Sequence, residues 1–280
     1  MQANSHPRLS ASIRGKRALA VGLLQFALCC SGVPQHVPKL EQILPRVQEH
    51  VSVFEHSLPD FICDETIISR ELMRGRVHQQ TVIASAFRGM QHKEEGRAFT
   101  ESRKIQTIDG KPAPPDQPLK GPFFFGGGFS SVLDEIFSPE NAQYFNYKME
   151  GKQKLKGKAA WVISLETKKG QKEILYREIF GSKTAIKGNG KAWIDPETLN
   201  VMRIEFEYQN PLFEGDLEVS VDYAPAEING QTFWMPKTVT AEQTVPSRTV
   251  PIAGQYIASY SNYHQFNVSH KIYWPVPKSM

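Results

Sequence analysis

Between Pro38 and Leu58 the apolar residues Leu40, Ile43, Leu44, Val47, Val51, Phe54 and Leu58 recur at spacings of three and four. One face of an amphipathic helix repeats in this way, and Pro45 either kinks the helix or gives it a late start. After Pro59 the pattern becomes that of strands. FICDETIISREL, VHQQTVIASAF and RAFTESRKIQTI are rich in β-branched and aromatic residues, with Gly75 and the KEEG segment as turns. Residues 109–128, DGKPAPPDQPLKGPFFFGGG, form a long Pro/Gly loop that carries Phe123, Phe124 and Phe125. FSSVLDEIF then predicts a short helix with Phe129, Leu133, Ile136 and Phe137 on one face and Pro139 at its end.

Strands resume with QYFNYKME, AAWVISLET, KEILYREIF, TAIKGNGKAWI, VMRIEFEYQ, LEVSVDYAPAEI, QTFWMPKTVTAEQT and GQYIASYSNYHQFNVSHKIYW. Breaks are expected at Gly151, Gly157, Gly170, the DPET turn, Gly215, the Asn229-Gly230 pair and the stretch from Pro246 to Pro251. About eleven strands in meander order, with helices only at the start and in one insertion, predict a mainly β (α+β) fold built on one large antiparallel sheet. No composition shift marks a second domain and no internal repeat is visible. With 280 residues, 40% of them hydrophobic, the chain can bury a sizeable core.

The segment GKAWIDPETLNVMRIEFEYQ, residues 190–209, concentrates acids around Arg203. Its pattern reads as a hairpin. DPETLN supplies a turn with Pro196 at the second position and Asp195 accepting backbone hydrogen bonds. In the strand that follows, Met202, Ile204, Phe206 and Tyr208 alternate with Arg203, Glu205 and Glu207, an apolar face backed by a charged one.

The first 32 residues stand apart. Arg8, Arg14, Lys16 and Arg17 precede the apolar run ALAVGLLQFALCC, and small residues follow at Ser31 and Gly32. This is the layout of a secretory signal, with an apolar run too short to span a membrane. Export in soluble form is favoured over acylation of Cys29 or Cys30, because Leu28 or Cys29 would stand where a small residue is wanted; an uncleaved anchor is the remaining alternative. The expected organisation is a signal at 1–32 and a single domain at 33–280, exported to the periplasm or outer membrane of a bacterium. Removing the signal leaves 29 Lys and Arg against 29 Asp and Glu, so the positive balance belongs to the leader and nothing global points to nucleic acid. Cys63 is then the one remaining cysteine, and the mature fold must rest on its core without an internal disulfide.

Candidate chemistry is sparse. His264 and His270 lie six residues apart on one strand, about 20 Å when extended, too far to ligate one metal. HExxH, CxxC, GxSxG and a phosphate-cradling GK[ST] are all missing, so no catalytic residue, metal site or cofactor is assigned. Cys63 is flanked by Asp64 and Glu65, which raise a thiol pKa, and it reads as a small buried residue in preference to a nucleophile. Lys152, Lys154, Lys156 and Lys158 alternate through GKQKLKGK. On one side of a strand or hairpin they would suit anionic lipid headgroups or an acidic partner; the plainer reading is a solvated edge that blocks aggregation.

Several segments together carry a resemblance. The helix followed by LPDFICDETIISR, then GGGFSSVLDEIFSPENAQYF, GKAWIDPETLNVMRIE, VSVDYAPAEINGQTFWMPKTV and the closing YSNYHQFNV resemble an uncharacterised family of secreted bacterial proteins. More distantly, the hairpin whose strands carry Trp-Ile-Asp and Met-Arg-Ile-Glu resembles the periplasmic lipoprotein carriers and their outer-membrane acceptors, the LolA/LolB-like fold, and sensor domains built on it. The resemblance implies an unclosed antiparallel half-barrel whose concave apolar face is covered by helices. It further implies a non-enzymatic envelope protein that binds a lipid or a lipoprotein acyl chain, or else a protein-interaction or sensor module with a filled half-barrel. Phe123, Phe124, Phe125, Phe129, Leu133, Ile136 and Phe137 are then candidates for the lid or lining of the cavity, with a permanent core plug as the alternative.

Overall fold

The computed structural model describes residues 38–91, 100–126, 128, 129, 131–170, 176–179, 182–209, 215–245 and 252–266, all within one compact unit that begins at Val37. The expected signal, the KEEG turn, the break from Pro246 to Pro251 and His270 lie outside the described residues. Helix α1 (Leu40–Ser57) opens the fold. It buries Ile43, Val47 and Val51, with Leu40, Leu44 and Phe54 packed partly against the core, so the spacing of three and four marks its inner face. It starts ahead of Pro45, not after it, because the carbonyl left without a donor by proline is that of Glu41, in the first turn.

Among the described residues thirteen strands follow: β1 (Phe61–Met73), β2 (Arg76–Met90), β3 (Thr100–Ile108), β4 (Lys111–Pro112), β5 (Phe145–Leu155), β6 (Lys158–Thr167), β7 (Tyr176–Ile179), β8 (Ser182–Ala185), β9 (Gly188–Ile194), β10 (Val201–Gln209), β11 (Asp216–Ile228), β12 (Gln231–Val245) and β13 (Ile252–Gln265). Eleven form one antiparallel sheet in the order β4-β3-β2-β1-β13-β12-β11-β10-β9-β6-β5, and β7 pairs with β8 in a separate hairpin. The sheet is unclosed, with β4 and β5 at its edges. This is the mainly β, open antiparallel architecture with a helical cover that the sequence predicts, differing in detail. The first residues of the expected long loop turn back as β4, around Asp109 and Gly110, with Asp109 Oδ1 accepting a hydrogen bond from Val82 N at 2.8 Å. KEILYREIF contributes β7 to the small hairpin instead of the large sheet, and TAIKGNGKAWI divides into β8 and β9.

Gly151 does not end β5. It sits at φ 108° in a bulge, where a residue without Cβ lets the strand bend and continue to Leu155. The tight turn at Lys156 and Gly157 breaks the lysine stripe. Lys152 and Lys154 share a face, Lys158 pairs with Leu155 and so falls on the other, and Lys156 folds onto Asp222 of β11 at 3.0 Å. The expectation of four lysines on one side is therefore corrected. Lys152 Nζ itself lies 5.8 Å above the Trp161 ring.

The two sheet edges dictate the remaining architecture. Because β4 and β5 lie at opposite edges yet are consecutive in the chain, residues 113–144 must cross the sheet to connect them. That crossover carries Phe123 to Phe125, Phe129, helix α2 (Ser131–Phe137) and a 3-10 turn at Ala142–Tyr144, and with α1 it roofs the apolar inner face. In the 190–209 hairpin, Asp195 Oδ1 accepts from Glu197 N at 2.9 Å and Thr198 N at 3.0 Å, closing the turn as its sequence predicts. Asp195→Ala is expected to destabilise the fold by about 1 kcal/mol, read as a shift in the urea midpoint at constant slope.

Candidate functional site

Alternation along β1 places Phe61, Cys63, Glu65, Ile67 and Ser69 on the inner face. They meet Ile83 and Phe87 of β2, Tyr256, Ala258 and Tyr260 of β13, and Val239 and Ala241 of β12. Phe129 descends from the crossover into this surface. Its ring lies 5.4 Å from Phe61, 4.8 Å from Phe87 and 5.0 Å from Tyr260. Offset and edge-on contacts at these separations are the favoured aromatic geometries.

All seven residues that the sequence singles out for the lid or lining come together on this face. Phe125, Phe129, Leu133, Ile136 and Phe137 are buried, and Phe123 and Phe124 pack partly against the same core. Phe137 stacks 6.0 Å from Tyr147, whose hydroxyl donates to the Ile136 carbonyl. Phe123 is held in two ways. The Ser69 hydroxyl donates to its carbonyl at 2.6 Å and accepts from its N–H at 2.9 Å. Its ring occupies a notch left by Gly254, where a Cβ would lie 2.5 Å from the ring. A buried hydroxyl used as both donor and acceptor fixes the crossover backbone on the sheet without an orphaned polar atom.

Charged groups are set into this apolar layer. Glu65 is 1% exposed; both its carboxylate oxygens accept from Arg103 Nε at 2.9 Å, and Oε2 accepts from Ser85 Oγ at 2.6 Å. The Arg103 guanidinium lies 4.7 Å above the Phe87 ring. Burial works most strongly against its charge, but Glu65, Tyr256, Tyr260 and Glu101 together outweigh it and its pKa is raised. Glu135 on α2 accepts from Tyr208 Oη at 2.9 Å. The sequence reading treats Glu65 only as a neighbour of Cys63 and does not identify Arg103 or Glu135. A signal was present: Glu65 shares the inward parity of Phe61, Cys63 and Ile67. Cys63 is buried and its thiol is pushed up by burial first and then by Glu65 and Asp64, consistent with a packing role.

Where α1 meets α2, Glu55 faces Asp134. Burial raises Glu55 to about 8, with Asp134 and Glu140 adding to the shift, and burial raises Asp134 as well. A carboxyl that keeps its proton longer when folded contributes stability that is complete below about pH 4.5 and is lost as pH rises through about 8. Glu55→Gln is therefore expected to flatten the decline of the thermal midpoint between pH 5 and pH 8, measured beside the parent protein.

Two hollows border the sheet. On the inner side a cavity of about 40 Å³ lies between α1, α2 and the strands, lined by Val47, His50, Val51, Phe54, Leu133, Tyr223 and Trp234 among others. That is room for a small group, not for an acyl chain. On the outer face a groove of about 420 Å³ runs over β9 to β12. Glu207, Glu218 and Glu242 stand in direct cross-strand register along it, and Lys191, Arg203 and Glu205 also line it. Arg203 is already engaged, by Glu205 at 2.8 Å and Asp222 at 3.0 Å. The acids of residues 190–209 thus face solvent, as the hairpin reading expects. Among the described residues no group of three or more His, Cys, Asp or Glu side chains is placed to hold a metal ion, and no helix is long and apolar enough to cross a membrane.

No family model and no curated protein matches the chain. Among solved structures it is similar to a DUF1329 family protein from Desulfovibrio piger, at 10% identity over 82% of this chain and 95% of that one, with a TM-score of 0.37. It is also similar to a putative outer membrane lipoprotein-sorting protein domain from Vibrio parahaemolyticus, at 12% identity, 80% and 92% coverage and a TM-score of 0.36. A LolA superfamily protein from Nitrosomonas europaea shows 10% identity, 81% and 95% coverage and a TM-score of 0.34.

Proposed function

We propose that the protein is a non-enzymatic binder of a hydrophobic ligand, a lipid or the acyl chain of a lipoprotein, working in the bacterial envelope. The observation that carries this reading is the division of the interior into a sheet and a separable roof. The inner face of the sheet is largely apolar, interrupted by the Glu65 and Arg103 pair, and what covers it beside α1 is a crossover segment whose aromatic side chains lie where a chain would lie. In this closed form the roof itself occupies the site. Binding would exchange Phe123 to Phe125, Phe129 and their neighbours on α2 for ligand, at a hydrophobic gain of roughly 25 cal/mol per Å² of ligand surface removed from water. The test is uptake of a fluorescent fatty acid, with native mass spectrometry of the protein purified from envelope extract. Bound lipid and saturable uptake are expected. A well-folded protein that carries no lipid and takes up no probe would overturn the reading.

One observation favours a second reading, an interaction or sensor module whose filled interior is only a scaffold. The outer groove is the larger hollow, and its row of Glu207, Glu218 and Glu242 sets like charges side by side, an arrangement that a cationic partner would relieve. One stoichiometric partner recovered from envelope extract, lost on Glu218→Lys and accompanied by an empty lipid fraction, would select this reading over the first.

A further inference from the structure

Beside the inner cavity of about 40 Å³ lies a polar group that the fold leaves without a partner. Tyr223, on β11, is 7% exposed and lines the cavity, yet its hydroxyl makes no hydrogen bond. A buried hydroxyl that goes unsatisfied costs stability, and phenylalanine would fill the same volume without that cost. The surroundings define what could satisfy it. Val47, Val51 and Phe54 of α1, Leu133 of α2, and Leu199 and Val201 beside the 190–209 turn give it mostly apolar walls, with His50 and Asn200 as the polar part of its lining, at the seam where both pieces of the roof meet the sheet. The volume admits a group of carbonyl size and excludes a phosphate headgroup with its hydration. A free carboxylate would lose its hydration among these walls, so it suits the site poorly.

We infer that Tyr223 is the specificity contact of the ligand site: its hydroxyl donates to the carbonyl oxygen of an ester or amide at the head of an acyl chain, while the chain runs into the space that the roof now fills. This rests on the hydrophobic-ligand reading and narrows its ligand class to esterified or amide-linked acyl chains. The experiment compares the protein with Tyr223→Phe, using the methyl ester of a pyrene-labelled fatty acid and the corresponding free acid as probes. Expected are tighter binding of the ester than of the acid by the parent protein, about tenfold weaker ester binding by Tyr223→Phe, and a thermal midpoint that is unchanged or raised. Ester binding within about twofold of the parent would overturn the role of Tyr223 while leaving lipid binding in place. If the parent takes up neither probe, the hydrophobic-ligand reading itself falls and this inference with it. Should Tyr223→Phe fail to fold, infrared spectra of a ¹³C-carbonyl ester on the parent protein decide the matter: a stretch shifted to lower wavenumber supports the hydrogen bond, and an unshifted one overturns it.

Discussion

Replacing Arg103 by methionine is expected to cost about 3–5 kcal/mol of folding stability, the largest effect of any single polar substitution in this protein. The reason is electrostatic. Glu65 is 1% exposed, and its two oxygens are met by Arg103 and Ser85. Taking away the guanidinium strands a carboxylate among Phe87, Tyr256 and Tyr260, where water cannot replace the lost partner. The double variant Glu65→Leu with Arg103→Met should recover most of the loss, since an apolar pair needs no compensation there. Urea denaturation of the parent, both single variants and the double variant closes the cycle. A loss below about 1 kcal/mol for Arg103→Met would mean that the pair is solvated and that the inner face is wetter than its burial indicates.

Phe129→Ala is expected to cost a similar amount, about 3–5 kcal/mol, because its buried ring is the common neighbour of Phe61, Phe87 and Tyr260 and its removal leaves a cavity among them. Its second consequence separates the two functional readings. If the roof occupies the ligand site, removing its central ring opens room on the sheet, and the variant should bind a fluorescent fatty acid more tightly than the parent while being less stable. If the interior is only a scaffold, Phe129→Ala loses stability and gains no binding. Thermal unfolding and probe titration on the same preparation give both quantities.

Much of this architecture was legible in the sequence. Spacing marked the buried face of α1, and alternation of Ile204, Phe206 and Tyr208 with Arg203, Glu205 and Glu207 fixed which side of β10 enters the core, whereas Met202, expected on the same face, packs in a smaller cluster with Ala160, Val162 and Trp193 because the register shifts between Val201 and Arg203. Turn chemistry at Asp195 and at Asn229-Gly230 set two hairpins, because those residues carry the local hydrogen bond or the positive φ that the turns require. The aromatic loop and the short helix were recognisable as an apolar insertion. Other features were not legible because they depend on who pairs with whom. Joining β1 to β13 brings together residues from both ends of the domain, and this long-range register puts the ends of the crossover at opposite edges and makes it a roof. The Glu65 and Arg103 pair arises from β1, β2 and β3 lying side by side, which periodicity within one strand does not reveal. The turn at Lys156 and Gly157 defeated the lysine stripe because it sets Lys158 opposite Leu155, on the face away from Lys152 and Lys154. The Tyr223 hydroxyl has no sequence signal, since an unmet hydrogen bond belongs to the packed structure alone.

The most direct test of the account is to fasten the roof to the sheet and ask whether binding stops. A Cβ at position 254 would lie 2.8 Å from the Phe123 Cβ, so Phe123→Cys with Gly254→Cys reaches disulfide geometry once the two backbones separate by about 1 Å. Uptake of a fluorescent fatty acid is then measured with this bond oxidised and again after reduction. If the ligand displaces the crossover from the inner face, uptake is absent in the oxidised form and returns on reduction. Equal uptake in the two states, or none in either, would contradict the account.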